Sequence, residues 1–529
     1  MNEQSRGDVV RVASLAELAE QGRKVVKVGA KQIVLFHSAG RLYACNNRCP
    51  HEGYPLAEGS VTGGCVLTCN WHNWKFDLES GETLIGGDKL RRYPLRVENG
   101  EIWLDVSDPP PAEQAAAALA SLRDCFRRHE YDRMAREISR LQRAGADPLE
   151  AVRSAVDWTH DRLEFGTTHA HAAAPDWLAL RGRLNGDEAG RLVPVVEIVG
   201  HLAWDSLREP AYPYPSKARP YTAEALVEAI EREDEAEAVG LLRGALAEGL
   251  GFSDLERPLA AAALAHYQDF GHSAIYVLKT GQLIERLGPE AAEPLLLALV
   301  RSLINASRED LIPEFRAYGP ALAAWDGAGG KPALAGDFHA LPVKQALARA
   351  LESSADPQAL FHALFEAAAW QMLHFDLALQ ERTDNQVSQN VGWLDFTHTL
   401  TFGNAVHVLC TRYPELWPAG LLQMACFLGR NAGYLDRDLD TGPWQVTDPR
   451  GFVDRSLAGL LDHGQFEYIV SCHLLKLLTA AGAELEAAPE APWGATLGAA
   501  LKRFLASPLK RKHALRAARQ AMTFVALEG

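Results

Sequence analysis

Two patterns of hydrophobic and polar positions divide the chain at a run of prolines. Before residue 108, short runs rich in β-branched residues alternate with glycine-containing turns. This pattern predicts β-strands at 25–28, 32–36, 41–44, 65–68, 93–97 and 101–106. Glu98-Asn99-Gly100, between the last two runs, predicts a hairpin. Asp108-Pro109-Pro110-Pro111 ends the pattern, because three prolines continue neither a sheet nor a helix.

After the prolines, apolar residues recur at helical spacing, and no fixed-period repeat is visible. Helices of three or more turns are predicted at 122–143, 223–248, 257–287, 289–306, 343–354 and 357–380, with breaks at 209–221 and 327–332. The predicted fold class is therefore multidomain β + α. A small antiparallel β domain covers 1–108, a proline-rich linker and helix start cover 109–125, and an all-helical domain of one or two lobes covers 126–529.

Composition and charge narrow the class of protein. A chain of 529 residues with 47% hydrophobic and 23% charged residues is typical of a soluble multidomain protein. The net charge of −15 argues against nucleic acid or an anionic membrane surface as a partner. The N-terminus lacks an apolar core and no apolar run reaches about 18 residues, so neither a signal peptide nor a membrane span is predicted. The cysteines show no disulfide framework, which favours a cytoplasmic location.

The strongest chemical signal is a pair of short motifs, Cys49-Pro50-His51 and Cys69-Asn70-Trp71-His72. Two cysteines and two histidines on two loops are the ligands of a [2Fe-2S] cluster in which one iron takes both thiolates and the other both imidazoles. A structural zinc site uses the same ligand types and is the alternative.

The residues around both motifs favour the iron–sulfur cluster. CPHEGYPLAEG and CNWHNWKFDLESGE resemble the two cluster-binding loops of the Rieske family. The extra loop cysteines of the respiratory type are absent, so the resemblance is to the ferredoxin and oxygenase branch, which implies that electrons pass on to another metal centre. No nucleotide-binding loop motif follows a strand. We therefore expect an external reductase or ferredoxin to supply the electrons.

Several histidines of the helical region have neighbouring residues in the sequence that suggest a second metal site. A carboxylate one helical turn away can hold the second N–H of a metal-bound imidazole. Apolar surroundings favour this role over a surface pair for two of the three D-x-x-H pairs. These two are Asp269/His272 and Asp395/His398, whereas Asp157/His160 is interpreted as a surface pair.

Two further apolar helical stretches carry His201 and His473. Lys476 follows His473 by three residues, and a lysine there is costly unless it is paired, deprotonated or modified. Addition of CO2 to the neutral amine would give a carbamate that ligates metal like a carboxylate. The alternative is that Lys476 extends to the surface from the helix edge.

The helical region also resembles the questin-oxidase-like family of all-α oxygenases, which act on aromatic polyketides. The matching stretches are EIVGHLAWDSL, FGHSAIYVLKTGQLIE, LDFTHTLTFGNAVHVL and IVSCHLLKLL. The resemblance implies a mononuclear non-haem iron held by histidines and a carboxylated lysine, here His201, His272, His398, His473 and Lys476. Tyr276 stands where the family has a second histidine, and Tyr276, Asp269 and Asp395 are the candidate catalytic residues.

The leading prediction is a Rieske-dependent oxygenase that hydroxylates or cleaves an aromatic or polycyclic substrate with O2. Because Rieske oxygenases generally pass the electron between subunits, we expect a homo-oligomer. Two alternatives remain open. One is an electron carrier whose helical domain is a metal-free docking module, and the other is a metal-free helical enzyme with acid–base histidines.

Overall fold

The computed structural model describes residues 8–508 and 513–528 and divides the chain into two compact units, Met1–Pro148 and Leu149–Gly529. The predicted fold class is confirmed, since small antiparallel sheets come first and a large helical region follows. The first seven residues, part of the stretch in which a signal peptide was sought, lie outside the described residues.

In its described residues, the first unit contains three antiparallel sheets. The strands pair in the orders β1-β10-β9, β2-β3-β4 and β5-β6-β7-β8. Their bounds are β1 (Val9–Ser14), β2 (Arg23–Val28), β3 (Lys31–Ser38), β4 (Arg41–Asn46), β5 (Ser60–Thr62), β6 (Val66–Thr68), β7 (Lys75–Asp77), β8 (Thr83–Ile85), β9 (Leu95–Glu98) and β10 (Glu101–Asp105).

The predicted hairpin joins β9 and β10. Asn99 and Gly100 both have left-handed backbones, with φ of +52° and +77°, and Glu98 pairs with Glu101 across them. A two-residue turn of this hand matches the twist of the flanking strands.

The α-helices in the described part of the first unit are α1 (Leu15–Gln21), α2 (Pro111–Arg127) and α3 (Tyr131–Arg143). The fully buried carboxylate of Asp88 accepts hydrogen bonds from Arg133 Nε at 3.0 Å and Arg136 Nε at 2.8 Å, which ties α3 to the segment that follows β8. The first compact unit extends through α3 and ends at Pro148. Composition changes at the prolines, but it does not reveal this long-range charge cluster.

The second unit is helical. Four of its helices pack in a ring, with α5 against α10 and α19, and α16 against α10 and α19. The bounds are α4 (Leu149–Thr159), α5 (His169–Arg183), α6 (Glu188–Asp205), α7 (Ala223–Glu231), α8 (Glu235–Ala247), α9 (Phe252–Leu264), α10 (His272–Leu287), α11 (Ala292–Ile304), α12 (Tyr318–Ala323), α13 (Val343–Leu351), α14 (Pro357–Leu373), α15 (Leu377–Glu381), α16 (Trp393–Arg412), α17 (Trp417–Asn431), α18 (Pro449–Gly459), α19 (Tyr468–Ala487), α20 (Gly494–Leu505) and α21 (Ala514–Leu527).

In the described residues, α19 is the one helix long and apolar enough to cross a membrane by length and composition. Of its most apolar window, 72% is buried inside the protein. A core helix passes the same test.

Several predicted helices are interrupted where the backbone turns left-handed. His129 has φ of +52° and separates α2 from α3, and Glu233 with φ of +57° separates α7 from α8. The predicted helix 257–287 breaks at Asp269-Phe270-Gly271, whose φ angles are +49°, +51° and +79°. Most of these residues are neither glycine nor proline, so the sequence contains few helix-breaking residues at the breaks. The helical spacing of apolar residues therefore continues across them.

Candidate cluster site and candidate metal centre

The two cysteine–histidine loops of the first unit are closed by the same backbone hydrogen bonds. Cys49 N donates to the carbonyl of Tyr54, five residues on, at 2.8 Å, and Cys69 N donates to that of Trp74, also five residues on, at 2.8 Å. The return bonds run from the fourth residue after each cysteine: Gly53 N donates to Cys49 O, and Asn73 N donates to Cys69 O.

That fourth position needs a left-handed backbone in both loops. Gly53 has φ of +77° and Asn73 has φ of +60°. Glycine and asparagine are residue types that tolerate this conformation. The sequence thus supplies a suitable turn residue just after each histidine.

The four side chains converge between the loops. Cys49 and Cys69 are buried, and burial raises the pKa of Cys49 to about 11. The rings of His51 and His72 meet edge to face at 4.7 Å, and the Nε2 atoms of both face the carboxylate of Glu52, at 3.9 and 3.6 Å. His51 Nδ1 is buried and has no hydrogen-bond partner among the described residues. A buried nitrogen without a partner, on the same loop as Cys49, fits a ligand position for iron.

Aromatic rings pack around these ligands. Trp74 stacks on His51 with ring centroids 4.5 Å apart and planes at 18°, and Tyr54 stacks on the exposed Trp71 at 4.1 Å. Gly86 faces Trp74 so closely that a Cβ there would lie 2.4 Å from the indole. The indole is therefore held between the 86 turn and the His51 ring.

In the second unit, four histidines meet, one from each helix of the ring. His169 and His272 are the first residues of α5 and α10, while His398 and His473 are each the sixth residue of α16 and α19. The Nε2 atoms lie 3.1 Å apart for His169 and His272, 3.0 Å for His272 and His398, and 3.4 Å for His398 and His473. Ligand atoms of His169, His398 and His473 all fall within 4.8 Å of one another.

Backbone carbonyls fix the tautomers of three of these imidazoles. A carbonyl only accepts, so each Nδ1 carries the proton and each Nε2 keeps a lone pair. The acceptors are Asp269 O for His272, Leu394 O for His398 and Ile469 O for His473, at 2.6, 2.6 and 2.5 Å.

Protonation does not remove the repulsion between the neighbouring Nε2 lone pairs, because the pKa values of these histidines are low. Burial, with the nearby Lys476, lowers the pKa of His272 to about 4 and that of His473 to about 3, and burial lowers the pKa of His398 well below its usual value. Neutral imidazoles with lone pairs 3.0 and 3.4 Å apart repel one another unless a cation lies between them. These residues therefore fit a metal ion bound through Nε2.

Lys476 lies on the same helix as His473, and in the described residues no carboxylate forms an ion pair with its amine. Its Nζ is buried without a hydrogen-bond partner in the part of the chain that the structure describes. Asp176 bonds the second buried lysine, Lys279, at 2.7 Å. Burial lowers the pKa of Lys476, which favours a neutral, nucleophilic amine.

One histidine predicted as a ligand does not join this group. His201 lies near the C-terminal end of α6, with its Nε2 3.6 Å from Asp205 Oδ1 and its ring stacked on Tyr468 at 5.0 Å. The other four histidines come from the N-terminal parts of their helices. The apolar sequence around His201 correctly indicates that this residue is buried. It does not indicate that His201 lies near the C-terminal end of its helix, away from the converging histidines.

The two predicted aspartate partners are also replaced. The Nδ1 atoms of His272 and His398 are held by backbone carbonyls, and not by the carboxylates of Asp269 and Asp395. Asp395 caps the start of α16 by accepting from Gly392 N at 2.8 Å. Burial, together with the nearby Glu309, raises the pKa of Asp269 to about 7. A carbonyl of the preceding turn is simply closer to the ring than the aspartate side chain.

Tyr276 lies one turn beyond His272 in α10, buried, with ring centroids 5.4 Å apart. Its ring is 6.3 Å from that of His169. Tyr276 therefore lines the centre beside two of the converging imidazoles.

His169 is the residue that sequence reasoning missed. It stands in Thr168-His169-Ala170-His171, where Thr168 caps α5. Phe165-Gly166 are separated from it by two threonines, whereas Phe270-Gly271 directly precede His272. A Phe-Gly pair shortly before a histidine that opens a helix is the signal that could have identified it.

Paired hairpin loops that bring two thiols and two imidazoles together on a small antiparallel unit define an iron–sulfur electron-transfer domain. Residues 8–89 match the Rieske [2Fe-2S] domain family, and the chain belongs to this family.

Two ferredoxins match this part of the chain over most of their own length. The ferredoxin component of the alkene monooxygenase system of Xanthobacter autotrophicus is 32% identical over 115 residues, 22% of this chain and 93% of that protein. The 3-phenylpropionate/cinnamic acid dioxygenase ferredoxin subunit of Escherichia coli is 35% identical over 81 residues, 15% of this chain and 76% of that protein.

Oxygenases match over a smaller share. The 4beta-methylsterol monooxygenase of Methylococcus capsulatus is 38% identical over 102 residues, which is 17% of this chain but only 27% of that protein. Among solved structures, the ferredoxin of carbazole 1,9a-dioxygenase from Nocardioides aromaticivorans is 24% identical, covering 19% of this chain and all of that one, with a TM-score of 0.18. The Rieske domain supports a [2Fe-2S] cluster and an oxygenase-related role in electron transfer.

Proposed function

We propose that the chain is a Rieske-dependent non-haem iron oxygenase. An external reductase or ferredoxin supplies electrons to the [2Fe-2S] cluster, which passes them to a mononuclear iron in the helical unit for O2-dependent hydroxylation or cleavage of an aromatic or polycyclic substrate. The carrying observation is the meeting of Nε2 lone pairs in a buried centre. The cluster ligands are Cys49, His51, Cys69 and His72, and the iron ligands are His169, His272, His398 and His473.

The protein's own part is to present a dry centre with fixed ligands. When bound, iron supplies the one-electron chemistry that O2 needs to react with an organic substrate. The carbonyl-bound Nδ1 atoms hold three rings in one orientation. Phe270 lies 5.1 Å from the His398 ring and 5.3 Å from Phe427, so apolar rings exclude water on this side.

Charge balance supports a carbamate on Lys476. The four ligands are neutral, and His169 and His272 are the first residues of their helices, where the macrodipole adds positive charge to that of the metal. In carbamate formation, Nζ of the neutral amine bonds to the carbon of CO2 and one N–H proton is released. The product places a negative charge beside the iron and removes an unpartnered buried amine.

The substrate class is supported by the resemblance of the helical region to the questin-oxidase-like family, which remains a prediction. The wall of aromatic side chains beside His398 suits a flat apolar ring system.

A second candidate function is an electron carrier with a metal-free helical docking module. It is favoured by the ferredoxin relatives, which match the first unit over 93% and 76% of their own length.

The deciding experiment is iron and acid-labile sulfide per chain on anaerobically purified protein, with an EPR spectrum of the reduced sample. A third iron beyond the two of the cluster supports the oxygenase. Two irons and two sulfides with only the Rieske signal support the carrier.

Single variants locate the third iron. His169→Ala and His398→Ala should lose it and keep the Rieske signal. His160→Ala is the matched control, since His160 also follows an aspartate by three residues, as His398 does, but is not among the converging histidines. His201→Ala should keep the iron, and loss of iron in that variant would return His201 to the ligand set.

A further inference from the structure

A buried ion pair lies in the second unit, on two of the helices that supply the converging histidines. Asp176 stands seven residues after His169 in α5, and Lys279 stands seven residues after His272 in α10. Seven residues are about two helical turns, so each charged residue lies on the same helical face as its histidine. The two side chains meet, because Lys279 Nζ donates to Asp176 Oδ1 at 2.7 Å.

This ion pair leaves one oxygen of its carboxylate unused. Asp176 Oδ2 is buried and has no hydrogen-bond partner among the residues that the structure describes. Lys279 Nζ also donates to Gln282 Oε1 at 3.2 Å, so the lysine has partners on two sides. The unsatisfied atom of the pair is therefore an acceptor.

Lys476 Nζ is a second unsatisfied atom in the same interior. Burial raises the pKa of Asp176, and the charges of Lys279 and Lys476 oppose that shift, so Lys476 is near the pair. Lys476 is near the histidines as well, since burial and then its charge lower the pKa of His272 and that of His473. The lysine thus has the histidines on one side and the Asp176 carboxylate on another.

A direct ion pair would satisfy Asp176 and Lys476 together, but neither makes it. A buried polar atom without a partner is costly, and here a free acceptor and a free amine occur near each other. A chemical change at the amine that leaves a hydrogen for Asp176 would satisfy both atoms.

We propose that Asp176 is the positioning residue for a carbamate on Lys476. This inference rests on the carbamate of the proposed function. As Nζ bonds to the carbon of CO2, one C–O double bond becomes part of the new carboxylate, and one N–H proton leaves to the buffer base. The other hydrogen stays on Nζ and requires an acceptor in this buried site, and Asp176 Oδ2 accepts it. Lys279 holds the carboxylate through Oδ1, so both carbamate oxygens remain free to face the histidines.

The test is the carbon NMR spectrum of the full-length protein in increasing 13C-bicarbonate, with zinc in the second metal site because zinc has no unpaired electrons. Asp176→Leu/Lys279→Met removes the ion pair as a unit and leaves no buried charge unpaired. This double variant should need about tenfold more bicarbonate for half-occupancy of the carbamate, the effect of one lost hydrogen bond to a charged group.

Two further variants accompany it. Asp176→Asn keeps the size of the side chain, removes its charge and should shift the bicarbonate dependence in the same direction. Gln282→Leu is the matched control, because it removes a partner of Lys279 but keeps the bond between Lys279 and Asp176. It should form the carbamate like the unchanged protein. Far-UV circular dichroism and the absorbance of the cluster check that each variant is folded.

The outcomes separate this inference from the proposed function. A carbamate with the same bicarbonate dependence in all variants would overturn the role of Asp176 and leave the oxygenase untouched. An unchanged protein without any carbamate signal would also overturn it, whatever its iron content. A shift in both Asp176 variants, in a protein that holds no third iron, would uphold the role of Asp176 and remove the oxygenase.

Discussion

Three imidazoles of the helical unit have their protons placed by the chain itself. In each, Nδ1 donates to a backbone carbonyl of the preceding turn, so the nitrogen that faces the centre is the one with a lone pair. Such carbonyls cannot be removed by mutating a side chain. The orientation of these ligands therefore depends on helix geometry more than on any neighbouring side chain.

Lys476 provides the first prediction. We expect a carbamate resonance in the carbon NMR spectrum of protein equilibrated with 13C-bicarbonate, and its absence in Lys476→Gln. The variant should also retain iron about tenfold less tightly, because a ligand or its immediate support is lost.

Lys476→Glu is the matched variant, since it restores a carboxylate, and iron binding should recover in part. Unchanged iron content in Lys476→Gln, with no carbamate signal in the parent protein, would show that the lysine is only a buried neutral amine.

At the scale of elements, the break before α10 places a metal-site histidine. Asp269, Phe270 and Gly271 are all left-handed, and for non-glycine residues this costs about 1–2 kcal/mol each. Asp269 N donates to Ser307 O at 2.8 Å, and Phe270 N donates to the Glu309 carboxylate at 3.0 Å. The 307–309 segment therefore holds a conformation that makes His272 the first residue of its helix.

Gly271→Ala tests this break. A Cβ at residue 271 would lie 2.9 Å from the Phe402 ring at a φ of +79°, so we expect lower stability of the helical unit, by about 1–3 kcal/mol, and weaker iron retention. Urea unfolding followed by circular dichroism and iron content measure the two effects.

The control for this variant is Gly319→Ala, in helix α12, where an added Cβ meets nothing within 4 Å. It should be neutral or slightly stabilising. Equal behaviour of the two variants would contradict a special role for the break.

A second element effect links α3 to the cluster loops. The carboxylate of Asp88 bonds Arg133 and Arg136, and the turn just before it, at Gly86, packs against Trp74, which stacks on His51. This chain of contacts connects a helix outside the family match of residues 8–89 to a cluster ligand.

Asp88→Asn should lower the free energy of unfolding of the first unit by about 1–3 kcal/mol, because the buried Arg133 loses one of its three carboxylate partners and the half-buried Arg136 loses the carboxylate that it bonds. We also expect altered EPR g-values of the reduced cluster, since the support of His51 changes. Asp88→Glu keeps the charge and should restore most of both properties. Denaturation is monitored by the loss of the cluster absorbance. An unchanged denaturation midpoint in Asp88→Asn would refute this link.

The ligands of the first unit can be predicted from the sequence more completely than those of the second unit. The cluster ligands lie within 49–72, and each loop contains its own turn residue, Gly53 or Asn73, so local sequence is enough. The helical centre gathers residues 169, 272, 398 and 473, which only tertiary packing brings together. His169 opens an alanine-rich helix whose pattern of apolar residues resembles ordinary core. The break at 269–271 depends on a segment some forty residues away.

At the scale of the whole molecule, the chain has a Rieske domain to accept electrons but no nucleotide-binding loop motif in its sequence. We expect NADH alone to leave the cluster oxidised, and addition of a ferredoxin and its reductase to bleach its visible absorbance. Reduction by NADH alone would contradict this and reveal a donor site within the chain.

The matching closure of the two ligand loops has a consequence for how the protein matures. Each loop is held by a pair of backbone hydrogen bonds and a left-handed residue, none of which involves iron. We therefore expect the backbone of both loops to take this conformation before the cluster is inserted, so that insertion requires the side chains of the four ligands to turn more than it requires the backbone to rearrange.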